Sequence, residues 1–194
     1  QPAMEALADD PDCRVEGFLA AGHVCTVVGC RSYHPFVERH AIPVVVTGFE
    51  PLDLLQGILE CVRQLEAKQS TVSNQYARSV RPDGNRAARQ IVDRVFEVCD
   101  RPWRGLGIIP AGGLRLRKEW QQFDAEHRFC SHVASTDETT DCRSWQVLSG
   151  LIKPPQCPHF GVGCTPDRPL GAPMVSSEGA CAAYFQFRRL GEPA

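Results

Sequence analysis

The chain has no long apolar run, and this excludes a transmembrane helix. Of its 194 residues, 43% are hydrophobic and 23% are charged, as in ordinary globular proteins. Its longest apolar stretches, such as AIPVVV at 41–46, are far shorter than the ~20 residues that cross a bilayer. The net charge of −2, with both signs interspersed, offers no basic face for nucleic acid. We therefore expect neither a membrane nor a nucleic acid as a partner.

The sequence also lacks a signal peptide, a phosphate-binding loop and any Cys-x-x-Cys pair. It begins QPAMEALADDPD, without an initiator methionine or an apolar leader, which fits a fragment of a longer protein. No Walker-type motif indicates nucleotide binding. Ten cysteines are present, yet without a secretory signal a disulfide framework is poorly supported. Metal binding or redox chemistry is the leading interpretation for some of them.

Short apolar runs alternate with amphipathic stretches in the first two thirds of the chain. HVCTVVG (23–29), IPVVVTG (42–48) and GLGIIP (105–110) have the near-continuous apolar pattern of strands buried in a parallel sheet. The ten or so residues at 31–41 are just enough for a short crossover helix, and helical periodicity predicts helices at 49–68 and 85–99. This alternation predicts a three-layer α/β domain with a mostly parallel sheet, which we place at residues 1–130.

The longest predicted helix directly follows the second strand. Pro51 suits its first turn, and Asp53 suits the positive end of the helix dipole. Its apolar side chains recur at helical spacing, at Leu52, Leu55, Ile58, Leu59, Val62 and Leu65. Glu50 and Asp53 are most simply acids at the start of this helix. Because ligands of parallel sheets gather where strands end, a role of these two residues in a ligand-binding cleft is the alternative. The predicted strand ends are at 29–30, 48–50 and 110–113.

The C-terminal segment, which we place at 131–194, differs in composition. Its first part, SHVASTDETTD, is polar and predicts a linker or a loop, and the rest is rich in proline and cysteine. Such a segment has a small core of its own and would gain stability from a metal. A helix is predicted to start in VSSEGAC, where Ser176 or Ser177 caps the turn and Glu178 lies in its first residues.

The last four cysteines form a candidate ligand set. Cys142, Cys157, Cys164 and Cys181 are spaced C-x14-C-x6-C-x16-C. Four thiolates can hold a tetrahedral zinc or one iron–sulfur cluster. Structural zinc sites usually draw their ligands in closely spaced pairs, which are missing here, so a cluster is favoured over zinc. Free or disulfide-linked cysteines remain an open alternative.

Five stretches of the chain carry a recognisable pattern. They are GFLAAGHVCTVVG (17–29), IPVVVTGFEPLDLLQGI (42–58), NQYARSVRPDGN (74–85), WRGLGIIPAGGLRLR (103–117) and KPPQCPHFGVGCTPDRPLGAPMVSSEGACAAY (153–184). Together they resemble the family of the hydrogenase maturation factor HypD, over nearly the whole chain.

The resemblance implies a specific role. Members of this family are cytoplasmic scaffolds and electron relays that assemble the Fe(CN)2CO centre of nickel–iron hydrogenases, with a HypC-type chaperone and a HypE-type cyanide donor as partners. It also implies the second α/β domain of the family, followed by a loop-rich segment that binds a 4Fe-4S cluster. Carried over position by position, the ligands of this cluster would be Cys142, Cys157, Cys164 and Cys181.

The chain also departs from the family pattern. The front half of the family carries a Cys-Gly-Thr-His motif and a Cys-Pro-x-Cys pair, and neither occurs here, so the resemblance concerns the C-terminal half. A separately encoded front half is therefore an expected partner. Cys142 is followed by Arg143-Ser144-Trp145 instead of the family's Cys-x-Cys-Gly, which weakens the match at this ligand. A truncated, non-catalytic paralogue, a zinc-stabilised binding module and a small electron-transfer protein are the alternative functions.

Two residues outside the cysteine set are candidate catalytic groups. His23 titrates near neutral pH, and the resemblance implies that it faces an inter-domain cleft, although a lone histidine is more often structural. Glu178 has a role in helix capping as its alternative. Structural roles are predicted for other residues: a surface salt bridge for Arg78, and core packing for Cys25, Cys61 and Cys99.

Overall fold

The computed structural model describes residues 1–103, 107–129 and 141–187. The chain divides into two compact units, one made of Gln1 and Val15–Glu97 and the other of Pro2–Arg14 and Val98–Ala194. Residues 131–140 of the predicted linker at 131–141 lie outside the described residues, and the predicted domain boundary beside it stays a prediction. Within the described ranges no helix is long and apolar enough to cross a membrane.

The described part of the chain contains short helices and strands. The helices are α1 (Pro2–Ala8), α2 (Gly22–Val28), α3 (His34–His40), α4 (Pro51–Glu66), α5 (Arg86–Val95), α6 (Ala125–Phe129), α7 (Ser144–Leu148), α8 (Ala172–Val175) and α9 (Ala180–Phe187). The strands are β1 (Phe18–Ala21), β2 (Val44–Thr47), β3 (Val72–Asn74), β4 (Phe96–Trp103) and β5 (Gly107–Leu116). Single 3-10 turns lie at Arg31–Tyr33, Lys118–Phe123 and Pro154–Gln156.

The first unit is built on a parallel sheet with the strand order β1-β2-β3. Phe18 of β1 lies opposite Val44 of β2, which in turn lies opposite Val72 of β3. All four residues of the central strand are buried, as expected for a strand with a neighbour on each side and helices packed against it. A mixed α/β fold with a parallel sheet is therefore confirmed.

The strand predicted at 23–29 is wrong, because this Val-rich run forms α2 and the strand is β1, just before it. Gly22 starts the helix tightly against β2: a Cβ at this position would overlap the Thr47 carbonyl oxygen. Within α2 the Thr26 hydroxyl donates to the Gly22 carbonyl at 2.9 Å. A short apolar run suits a buried strand and a buried helix equally. Residues 29–30 therefore follow a helix and are not a strand end.

The remaining elements match the predictions in part. β2 confirms the strand at 42–48, α3 confirms a helix within 31–41, and α4 begins at Pro51 as predicted. The helix predicted at 85–99 ends at Val95, and β4 begins at Phe96. β5 contains the predicted run at 105–110 as far as it is described, but residues 110–113 lie within this strand rather than at its end. β5 pairs with β4 in a separate two-stranded sheet.

The second unit has a small core in its C-terminal part. Phe160, Cys164, Met174 and Ala182 are buried together. Four partly buried residues pack against them, namely Cys157, Leu170, Cys181 and Phe185. Two of the four candidate ligands thus flank this core and a third belongs to it, so the stability of the core and the position of the thiols depend on each other.

Candidate functional site

The four candidate ligands line one cavity of the second unit. Its wall is formed by Cys142, Arg143, Ser144, Val147, Cys157, His159, Phe160, Cys164, Leu170, Gly171, Pro173, Met174 and Cys181. The four cysteines come from different elements: Cys142 precedes α7, Cys157 follows a 3-10 turn, Cys164 lies in a loop, and Cys181 lies in the first turn of α9. The fold therefore brings together thiols that are far apart in the sequence.

A compact loop links the second and third cysteines. The Phe160 amide donates to the Cys157 carbonyl at 3.0 Å, and the Cys164 amide donates to the His159 carbonyl at 2.8 Å. Gly161 has φ 76°, a left-handed conformation that glycine adopts without steric cost. These bonds close the loop on itself, so Cys157 and Cys164 are held at the same cavity.

Hydrogen bonds of α7 and of the residue after it hold the segment that contains Cys142. The indole of Trp145 donates to Asp10 Oδ2 at 2.5 Å, and the Arg14 amide donates to the Ser149 carbonyl at 2.8 Å. Trp145 is one of the residues at which the sequence departs from the family pattern. In this chain it ties the short helix after Cys142 to the N-terminal segment of the same unit.

Two backbone segments approach the thiols closely. The Leu170 amide donates to Cys164 Sγ at 3.4 Å. At Gly171 an added Cβ would overlap Cys142 Sγ. The backbone thus donates to one sulfur and leaves no room for a side chain beside another.

The thiol of Cys181 resists ionisation in the metal-free chain. Burial, and to a smaller extent charge repulsion from the neighbouring sulfurs of Cys142, Cys164 and Cys157, raise its pKa to about 11 from an ordinary 9.0. Four thiolates without a cation repel one another in a site of low polarity. A bound metal centre would reverse this balance, since thiol coordination requires loss of the proton.

The donor set consists of four thiols around one cavity. Across the described ranges no three His, Cys, Asp or Glu side chains converge so that they could hold a single metal ion. The four thiols instead surround a shared cavity. In a 4Fe-4S cluster each cysteine would bind a different iron, so the ligands of such a cluster need not converge on one point.

The other predicted site residues do not line this cavity. His23 is an exposed residue of α2, and its ring lies tilted at 45° against Phe49 with centroids 5.0 Å apart. Glu178 is exposed, and its amide donates to Ser176 Oγ at 3.2 Å. The expectation that Glu178 lies in the first turn of the helix is wrong, because α9 begins at Ala180. A catalytic role for His23 or Glu178 stays a prediction.

An ion pair lies at the carboxyl edge of the parallel sheet. The sequence predicts a salt bridge for Arg78 but does not identify its partners. Arg78 donates from Nη1 to Asp53 Oδ1 at 2.7 Å and from Nη2 to Asp53 Oδ2 at 2.5 Å. Its Nη2 also donates to Glu50 Oε2 at 3.1 Å. The guanidinium lies over the Tyr76 ring, 4.4 Å from its centroid. This confirms a salt bridge for Arg78, and the helix-start acids Glu50 and Asp53 are its partners.

Comparisons with known proteins agree on one family. The family model for HypD, described as "Hydrogenase formation hypA family", matches residues 1–188. The chain is 44% identical to hydrogenase maturation factor HypD1 of Bradyrhizobium diazoefficiens, over 97% of this chain and 51% of that protein. It is 45% identical to hydrogenase maturation factor HypD of Escherichia coli, again over 97% of this chain and 51% of the relative. The chain thus spans about half the length of the curated relatives it matches.

Proposed function

Because the chain belongs to the HypD family, we propose that it acts in the maturation of nickel–iron hydrogenases as the cluster-bearing part of a scaffold. The observation that carries this proposal is the cavity lined by Cys142, Cys157, Cys164 and Cys181. The cargo of the scaffold is the Fe(CN)2CO centre. Its partners are a HypC-type chaperone, a HypE-type cyanide donor and the half of the family protein that this chain does not span. The cytoplasm, where thiols stay reduced, is its proposed location.

The cavity is proposed to bind a 4Fe-4S cluster through its four thiols. When bound, such a cluster supplies one-electron transfer. The backbone contributes the Leu170 amide, which donates to Cys164 Sγ, and the closely placed Gly171. Apolar side chains limit the access of water: Phe160 packs edge-on against Phe185 with centroids 6.0 Å apart, and Met174 is buried beside them. Hydrogen bonds to sulfur and burial are the features by which a protein tunes a cluster's potential.

The side chains of this chain determine how readily the cysteines lose their protons when the site is loaded. The raised pKa of Cys181 keeps its thiol protonated at neutral pH in the metal-free protein. Loading the site then requires loss of that proton, which leaves to solvent when the thiolate gains a cation to pair with. Loading is therefore expected to release protons and to become easier as the pH rises.

Anaerobic reconstitution tests the proposed cofactor. The purified chain, treated with ferrous iron and sulfide under reducing conditions, is expected to turn brown and to hold about four iron and four sulfide per chain. The variant Cys164→Ser is expected to lose most of this iron. The variant Cys61→Ser, which changes a thiol of the first unit, serves as the matched control and should keep it. A colourless protein with one tightly held zinc would instead support the zinc-stabilised module.

Complementation tests the proposed function independently of the cofactor. An Escherichia coli strain that lacks HypD would receive this chain alone, or this chain together with the part of the E. coli protein that it does not match. We expect hydrogenase activity only with both parts, since the chain spans about half of that relative. Cluster binding without any restored activity in either strain would favour the truncated, non-catalytic paralogue.

A further inference from the structure

The apolar face of α4 is turned away from the sheet on which the helix packs. An amphipathic helix normally buries its apolar stripe against the core. In α4 the buried residues are instead Asp53, Gly57 and Gln64. Seven large apolar side chains of the same helix are exposed, by fractions that range from 37% for Leu54 to 65% for Leu52, and six of them follow one side of the helix. These six are Leu52, Leu55, Ile58, Leu59, Val62 and Leu65, which we call the α4 stripe.

Polar and small residues fix this orientation of the helix. Gln64 donates from Nε2 to Ser73 Oγ at 2.8 Å and accepts from the Thr71 amide at 2.9 Å. At Gly57 a Cβ would lie 2.9 Å from the Cβ of Thr47, so the helix backbone lies directly on β2. These contacts of Gly57 and Gln64 need the polar side of α4 to face the sheet. Rotating the stripe inward would break them.

The stripe has the pattern of a helix that packs against another element. Leu52, Leu55, Leu59 and Val62 are separated by three, four and three residues, the a and d spacing of packed helices. Ile58 continues the apolar surface beside them. Exposed apolar surface of this regularity marks a contact with another polypeptide, and the absence of charge among these positions is typical of permanent rather than transient contacts.

The size of the stripe argues against a second copy of this chain as the occupant. From residue 52 to residue 65 the helix rises about 20 Å, and a helix is about 10 Å wide. The resulting footprint is on the order of 200 Å², and the stripe alone is smaller than the ~800 Å² of accessible surface that each partner of a stable interface buries. A small patch suffices where the contacting segment is held nearby by other contacts or by a covalent link.

The lengths of the relatives point to the occupant. They are matched over about half their length, 51% for HypD1 of B. diazoefficiens and 51% for HypD of E. coli. A family protein of that length therefore contains as much polypeptide again. We propose that the α4 stripe is the docking face for this other half of the HypD fold. The inference rests on family membership and on α4, and it is independent of the proposed cluster.

Co-purification tests the docking face. The chain, carrying an affinity tag, is co-expressed with the part of E. coli HypD that it does not match, and the complex is isolated through the tag. The variant Leu55→Glu/Leu59→Glu places two charges on the stripe and is expected to retain at least tenfold less of the untagged part than wild type. Leu55→Met/Leu59→Met should retain it. Ile91→Glu, which changes an exposed residue of α5 in the same unit, is the matched control and should also retain it.

Each other result would overturn the proposal. If the untagged part fails to bind the wild-type chain, or binds the doubly charged variant equally well, the stripe is not its docking face. Light scattering of the chain alone tests the alternative occupant, a second copy of this chain. A dimer that Leu55→Glu/Leu59→Glu converts to a monomer would assign the stripe to that second copy. Circular dichroism of each variant is expected to match wild type, because these side chains point away from the sheet.

Discussion

Arg78 and Asp53 form a two-point ion pair that joins the loop after β3 to the first turn of α4. The carboxylate of Asp53 is 4% exposed, whereas the side chain of Arg78 is 50% exposed. A buried carboxylate left without its partner is costly. The glycine between β2 and α4 shows how closely the pair is packed, since a Cβ on Gly48 would overlap Asp53 Oδ2. The pair therefore sets the geometry of this edge of the sheet.

Removal of Arg78 alone is expected to destabilise the fold more than removal of both partners. Arg78→Met leaves Asp53 buried and unpaired, while Arg78→Met/Asp53→Leu leaves no buried charge. The thermal midpoint of the single variant should therefore be the lower of the two. Arg31→Met is the control, because the Arg31–Asp83 pair is 68% and 70% exposed and exposed pairs contribute little. Equal midpoints for the single and double variants would contradict the prediction.

The pair should also make stability depend on pH in the acid range. The guanidinium of Arg78 lowers the pKa of Asp53 below its ordinary 3.8. A carboxyl group whose pKa is lowered by folding stabilises the native state above its unfolded pKa, and this contribution is lost as the pH falls through the folded value. Urea unfolding of wild type and Asp53→Asn should therefore differ most above pH 4 and converge below it. A difference that stays constant from pH 7 to pH 2 would argue against an ionised Asp53 in the native state.

Adding one methyl group at Gly171 should impair the cysteine site. The new Cβ would overlap Cys142 Sγ, so this thiol or the backbone beside it must move. We expect Gly171→Ala to retain several-fold less iron after anaerobic reconstitution. Gly163→Ala is the matched control, because its Cβ would find only His159 Nδ1, at an ordinary 3.7 Å. Equal iron contents in the two variants would show that Cys142 is not held at the position seen here.

Local signals in the sequence predict much of the first unit. The run that ends at Thr47 forms β2, and the helix predicted to begin at Pro51 does so, because periodicity and turn chemistry act over neighbouring residues. The run at 23–29 misleads because its helical form depends on a distant contact. Gly22 lies against the carbonyl of Thr47, and the residues around Gly22 do not predict this contact.

The sites divide in the same way. The spacing of the last four cysteines is enough to predict a shared site, and the structure lines one cavity with them, although their role as cluster ligands stays a prediction. The partner of Arg78 lies 25 residues away, so its identity depends on which face of α4 meets the sheet. Gly57 and Gln64 are buried on the face of α4 that meets the sheet. Periodicity alone predicts that the apolar stripe would occupy this face.

The reactivity of Cys181 provides a test that requires no cluster. With a pKa of about 11 instead of 9.0, its thiolate fraction at pH 8 should be roughly 10- to 100-fold lower than in the unfolded chain, and alkylation depends on the thiolate. Iodoacetamide labelling of the metal-free protein, followed by mass spectrometry, should show a correspondingly slower reaction at Cys181 than in urea. Labelling at the same rate in both states would contradict the raised pKa.

Two variants separate the causes of this slow labelling. Burial is the larger cause and the neighbouring sulfurs are the smaller. Met174→Ala, which opens the core against which Cys181 packs, should therefore accelerate labelling of Cys181 more than Cys142→Ser, which removes one neighbouring sulfur. The opposite order would mean that repulsion among the four thiols dominates. A bound cation would then stabilise the four thiolates mainly by removing their mutual repulsion. In that case loading with iron should depend more steeply on pH.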